Sequence, residues 1–338
     1  MSVARLCAAA LGTATLVAGV GAGVVPGVPT AWAGDNDLVL ARLSSLVGSG
    51  SDQRGVGQSL ELRSLISELG VALAPRLLTP ADTLGFGGFQ LSADFATTTI
   101  TSDAAYWRAR LGSPDPTGTS GLDHGTAALP TVGVFVRKGL WFPVPSIEFG
   151  GGAVHLMDSR LWTGQAYVKL ALLEGYHRLP LPSLAVRGGV SRLFGQKEID
   201  LTVISLDASI SKHVGVAGTW SIDPYAGYNV LLMVPRSEVI DPTPHIDSLA
   251  DMNPDDRNVD FVFKDQDDIV RQRFFVGAKL QYYVFQLTIE GTFAQAGTSV
   301  DDRAGDTPCM PGSTTTACDA TDQARAQRTL TVSGGFDF

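Results

Sequence analysis

The sequence predicts an all-β fold: a transmembrane, antiparallel, up-and-down β-barrel of about ten strands (range ten to fourteen), preceded by a short helical segment. Three observations predict it. Residues 327–338 alternate, with Leu330, Val332, Phe336 and Phe338 on one face and Thr329, Thr331, Ser333, Gly335 and Asp337 on the other. Similar alternation recurs along the chain from residue 84 onward. The composition, with 38 Gly and only 17% charged residues, suits strands and turns with few surface charges.

Three divisions follow. Residues 1–33 form a signal peptide, with Arg5 before an uncharged stretch and Ala31-Trp32-Ala33 as a small-x-small cleavage site. An uncleaved membrane helix is the alternative, but the run is Gly-rich and ends in Pro26 and Pro29. Residues 34–83 carry two amphipathic patterns. Leu38, Leu40, Leu43, Leu46 and Val47 suggest one helix, and Leu60, Leu62, Leu65, Ile66 and Leu69 a second that stops at Gly70. Residues 71–78 read as a short strand weakened by Pro75. This segment either stays in the periplasm or plugs the barrel mouth.

Residues 84–338 are the barrel. Its strands fall at 84–101, 132–142, 146–156, 162–173, 184–194, 199–211, 216–234, around 272–280, 285–293, and at the closing strand. In the sixth, Ile199, Leu201 and Val203 are out of phase with Ile204, Leu206, Ala208 and Ile210, which suggests a bulge near Val203 and Ile204. The long connections 102–130, 235–270 and 297–324 are all odd-numbered and so share one face. Membrane barrels carry long loops outside and short turns inside. An even strand number then puts both chain ends on the periplasmic side. Residues 174–183 are the one lengthy even connection.

A soluble sandwich also alternates. Lipid is favoured by aromatics at strand ends, where membranes meet water: Trp141, Phe142, Trp162, Tyr282, Tyr283, Phe336 and Phe338. It is favoured too by an opposite face rich in Gly, Ser and Thr, as a crowded lumen would be. That face carries Arg137, Lys169, Arg187, Arg271, Arg273 and Lys279 against Asp94, Glu148, Asp207, Asp223 and Glu290. A barrel of about ten strands is narrow, so opposite charges should pair across it. The functional alternative is a selective path lined by Arg271, Arg273 and Lys279. A wide pore would need about 16 strands.

The strand ending in Phe338 resembles the closing strand of bacterial outer-membrane β-barrels. The resemblance implies location in the outer membrane of a Gram-negative-type bacterium, contact with its lipids, and recognition of this strand by the barrel-assembly machinery. Helices ahead of a barrel, followed by Thr79-Pro80-Ala81-Asp82, are also similar to the outer-membrane fatty-acid transporters, whose amino-terminal segment forms a hatch. That likeness implies restricted passage of a small or hydrophobic solute. A closed structural or surface-binding barrel is the alternative, and a lipid-modifying enzyme a minor one.

Other chemistry is sparse. A net charge of -9 argues against nucleic acid. Cys309 and Cys318 lie close in an exported loop and suggest a local disulfide. Residues 251–268 are dense in carboxylates, but without the spacing of a calcium loop they read as a solvated acidic loop. No metal or cofactor motif is present. No G-x-S-x-G occurs; His155 and Ser159 lie near one strand end, His124 lies with Asp123 in the first long loop, and His177 falls on the opposite face, but spacing alone does not make any of them catalytic.

Overall fold

A computed structural model describes residues 34–48, 54–113, 126–140, 146–174, 181–216, 218–242, 260–264, 266, 268–300 and 321–338. The predicted signal peptide, the two cysteines, Trp141, Phe142, His124, His177 and most of the acidic loop lie outside them.

The wall is a closed antiparallel barrel of ten strands. In chain order these are β3 (Phe89–Thr99), β4 (Ala128–Leu140), β5 (Ile147–Leu156), β6 (Trp162–Leu173), β7 (Ser183–Phe194), β8 (Ile199–Ser211), β10 (Trp220–Ser237), β11 (Ile269–Tyr282), β12 (Phe285–Ala294) and β13 (Gln327–Asp337). Each pairs with its neighbour in sequence, and β13 closes the ring on β3. Phe89 and Phe338 exchange both backbone hydrogen bonds at 2.8 Å. The predicted seventh strand is two pieces: β9 (Val214–Val216) folds back on the first three residues of β10.

Side chains alternate across this wall. On β11, Arg271, Arg273 and Lys279 are buried while Phe274 and Val276 are exposed. On β12, Gln286, Thr288 and Glu290 are buried while Leu287, Ile289 and Phe293 are exposed. Among the described residues no second sheet covers the apolar outer face, and the wall is one sheet closed on itself, not a two-sheet sandwich. A closed ring pairs every wall strand on both edges, as a spanning sheet in lipid requires. Trp162 and Phe194 are exposed at the end bearing the long connections; Trp220, Tyr282, Tyr283, Phe285, Phe336 and Phe338 are exposed at the other.

Five expectations need correction. No bulge occurs in β8, whose register is continuous against both β7 and β10. Ile199, Leu201 and Val203 point inward because an apolar body fills the lumen at that level. The shift falls instead between Ala171 and Leu173 of β6. The first predicted helix is one 3-10 turn, Leu40–Leu43, followed by a small hairpin of β1 (Ser44–Val47) and β2 (Arg54–Gly57). The second is α1 (Ser59–Ala72), which runs through Gly70. A Cβ at Gly70 would strike the Met233 side chain, so this glycine permits close approach of helix to wall rather than ending the helix. Residues 73–88 contain no strand.

The fifth concerns direction. Leu40, Leu43, Leu65, Ile66 and Leu69 pack with Leu156, Leu161, Leu193, Ile199, Leu231 and Ile269, all at the long-connection end. Asn36 N donates to Asp158 O at 2.8 Å and Gly112 N to Asp35 O at 2.8 Å, so residues 34–36 are tied to the connections after β5 and β3. The barrel's two ends do meet at the short-turn end. The segment ahead of it starts at the opposite end and runs down the lumen to reach Phe89.

Candidate functional site: the threaded lumen

Residues 73–84 are the axis of the site, and each level of the wall holds them by different chemistry. At the top, Gln165 Nε2 and Ser191 Oγ donate to Leu73 O at 3.2 and 3.0 Å. Arg76 N donates to Gln165 Oε1 at 3.0 Å, and Arg76 Nε lies 3.2 Å from Asp94 Oδ1. In the middle, Arg187 Nη1 donates to Leu77 O at 2.5 Å and Arg273 Nη2 to Pro75 O at 3.4 Å. Leu78 has a left-handed backbone, φ 35°, unusual for a leucine. It is pinned from both sides: Leu78 N donates to Glu290 Oε2 at 2.8 Å, and Arg137 Nη1 donates to Leu78 O at 3.1 Å. At the bottom, Lys169 Nζ donates to Pro80 O at 3.2 Å and Asp82 O at 2.7 Å, and Leu84 N donates to Glu148 Oε2 at 3.2 Å.

Extended backbone has unsatisfied N–H and C=O groups, and in a lumen without strands of its own these must find side chains. The wall's cationic side chains meet carbonyls and its carboxylates meet N–H groups. The charges also pair among themselves where strands put them in register. Glu148 faces Lys169 across β5 and β6, with 3.0 Å between Oε2 and Nζ. Arg187 faces Asp207 across β7 and β8 at 2.9 Å. Lys279 Nζ donates to Asp337 Oδ2 at 2.7 Å. Tyr167 and Tyr225 donate to Glu148 and Glu290 at 2.6 and 2.8 Å.

The three cations suggested as a path sit at different heights. Arg271 is near the top, its Nη1 donating to Ser67 Oγ of α1 at 2.7 Å. Arg273 is mid-lumen, with Nε donating to Asn229 Oδ1 at 2.9 Å. Lys279 is near the lower mouth. There a polar cavity of about 340 Å³ opens, bordered by Asp82, Arg137, Lys169, Asp223 and Lys279 and by Thr79 and Pro80 of the segment. His213 Nδ1 and Asp223 Oδ1 are 2.6 Å apart at its rim.

The upper cap leaves little trace in the sequence pattern. Glu68 of α1 is fully buried. It accepts from Thr101 N at 2.9 Å, Thr101 Oγ1 at 2.7 Å, Tyr106 Oη at 2.7 Å, Trp107 Nε1 at 2.7 Å and Arg325 N at 3.2 Å. It thus fastens the connections after β3 and before β13 onto the helix. Burial and the neighbouring carboxylate push the Tyr106 hydroxyl up, keeping it a donor. Burial likewise pushes up the Asp322 carboxyl, which accepts from Ser67 Oγ at 2.5 Å and Ala324 N at 2.9 Å. The signal in the sequence is three charged residues, Glu61, Arg63 and Glu68, in an otherwise apolar or small helix, of which Arg63 and Glu68 are buried.

The base–hydroxyl neighbours do not form a nucleophile. Ser159 Oγ donates to Leu156 O at 2.7 Å, and His155 stacks on Trp162 with 4.2 Å between ring centroids. Among the described residues no group of His, Cys, Asp and Glu is placed to hold a metal.

No family profile and no curated protein matches the chain. Among solved structures it is similar to Ail, the attachment invasion locus protein of Yersinia pestis, with 9% identity over 75% of this chain and 99% of that one, TM-score 0.26. It is similar to Neisserial surface protein A, with 10% identity over 74% and 97%, TM-score 0.26. The outer membrane protein OprG from Pseudomonas aeruginosa gives 8% identity over 77% and 99%, TM-score 0.25. On its own strand register, apolar exterior and aromatic edges, the chain is a barrel of the outer-membrane type.

Proposed function

We propose that this protein is a closed outer-membrane barrel that works through its capped, loop-bearing outer face, without passing solute and without enzyme chemistry. The observation that carries this reading is the segment 73–84, hydrogen-bonded to the wall at every level of the lumen. The cap above it ties the described ends of the long connections, at Thr101, Tyr106, Trp107, Gln266 and Arg325, to the helix, an attachment suited to contact at the cell surface. The apolar exterior meets outer-membrane lipids, and β13 is the strand offered to the barrel-assembly machinery.

The rival reading is restricted passage of a small or hydrophobic solute with the amino-terminal segment as gate. It requires that segment to leave. Leu38, Leu40, Leu43, Leu62, Leu65, Ile66, Leu69 and Leu73 are all 6% exposed or less. Exposing them costs about 12–24 kcal/mol at about 1.5–3 kcal/mol each, before any lumen hydrogen bond is counted. Planar-bilayer recordings of the refolded full-length chain test the proposal. A silent trace across the voltage range is expected, and reproducible single-channel steps from the intact chain would overturn it.

A further inference from the structure

The lipid-facing wall is not smooth. Near the long-connection end a groove of about 540 Å³ crosses β11, β12 and β13. Two outward rows, each in cross-strand register, frame it: Phe274, Phe293 and Arg328 above, and Val276, Gly291 and Leu330 below. Phe274, Val276, Phe293 and Leu330 are 47%, 63%, 42% and 53% exposed. Gly291 sits at the centre. A Cβ there would meet nothing nearer than Val276 O at 4.0 Å, and its backbone is not left-handed. The fold places no demand for glycine at this position, and what the missing side chain provides is the notch itself.

Arg328 is the one charged group on this apolar surface patch. It is exposed, and its side chain pairs with no carboxylate among the described residues; its backbone N–H donates to Thr99 Oγ1 at 2.9 Å. From Arg328 to the aromatic Phe336 is about 27 Å of strand, or about 20 Å of depth at a tilt of about 40°. Arg328 therefore lies at the edge of the apolar band, where a guanidinium reaches headgroup phosphate, while the notch lies one row deeper, among acyl chains.

We propose that this groove binds one phosphorylated glycolipid of the outer leaflet, with an acyl chain in the notch at Gly291 and a phosphate on Arg328. The proposal rests on the long connections facing outward, as in the function proposed above. Full-length protein in detergent micelles is titrated with bis-phosphorylated lipid A, with its dephosphorylated form and with phosphatidylethanolamine, and retained lipid is counted by native mass spectrometry. One retained lipid A per chain is expected, weakened about tenfold by loss of phosphate or by Arg328→Gln. Gly291→Leu, which fills the notch without touching the charge, should abolish retention. Folding of both variants is checked by heat-modifiable gel mobility. Equal retention of the dephosphorylated form, unchanged retention by both variants, or an apolar dimer in place of a lipid adduct would overturn the groove. The readout is independent of conductance. A silent barrel that retains no lipid A refutes the groove alone, and a conducting barrel that retains it refutes the closed lumen alone.

Discussion

Glu68 offers the sharpest test of how the cap is held. Replacing it with Ala leaves Thr101 N, Thr101 Oγ1, Tyr106 Oη and Trp107 Nε1 facing a cavity, each having donated at 2.7–2.9 Å. A buried donor left unpaired costs about 1–3 kcal/mol, and water entering the cavity recovers part of that. Taking two of the four as unrecovered gives a loss of about 3 kcal/mol in the free energy that keeps the connection after β3 closed on α1. The ten-stranded wall does not contain these contacts, so the effect is local rather than global. Hydrogen exchange at Tyr106–Ala109 should accelerate by about 10²-fold, since about 1.4 kcal/mol corresponds to a factor of ten. Amides of β11 and β12 in the same sample should be unaffected. Glu68→Gln keeps one acceptor oxygen and should fall between wild type and Ala. Exchange at Tyr106–Ala109 unchanged within threefold in the Ala variant would refute the reasoning, because it would mean those loops are held closed by something else.

Three further outcomes follow from other parts of the molecule. Lys169→Met leaves Glu148, 1% exposed, without its ion partner, and should cost about 3–5 kcal/mol in denaturant unfolding from lipid vesicles; the double variant with Glu148→Gln should recover most of it, and no recovery would show the pair is not a unit. Val276→Arg should lower folding stability in vesicles by about 2–4 kcal/mol if that wall faces acyl chains, whereas a water-facing wall would tolerate it within about 0.5 kcal/mol. Asp322 carries a pH dependence. Its folded pKa is raised by burial, so the contribution is fully present below the unfolded value of about 3.9 and is lost as pH rises through the folded value. Exchange near Asp322 should therefore quicken as pH rises above about 4, and Asp322→Asn should flatten that slope; an equal slope in the variant would contradict the assignment.

The outer wall was legible because lipid enforces one rule at every strand. Phe274 against Arg273, or Ile289 against Glu290, states inside and outside without reference to any partner. The lumen is not uniform, and there the reading slipped. Ile199, Leu201 and Val203 looked like a register break because an inward apolar residue has no place in a lumen filled only with charges. They are in register, within an apolar cluster formed with the amino-terminal segment that the wall's own pattern does not announce. Gly70 was misread for a related reason: a local stop signal and a site of close approach look identical until Met233 is placed beside it. The lumen charges were visible as inward residues, but their partners were not. Arg137, Arg273 and Glu290 bind backbone atoms of residues 75–78, and backbone leaves no trace in side-chain patterning.

The central claim is that the chain threads its own lumen, and one cysteine pair tests it most directly. A Cβ built at Gly189, midway along β7, would lie 3.3 Å from Pro75 Cβ, close to the separation a disulfide spans. With the native cysteines replaced by serine, Pro75→Cys combined with Gly189→Cys should oxidise to an intramolecular bond in the folded, membrane-inserted protein, seen as a single cross-linked peptide in mass spectrometry. Two freely alkylatable thiols in a correctly folded barrel would show that residue 75 is not inside it.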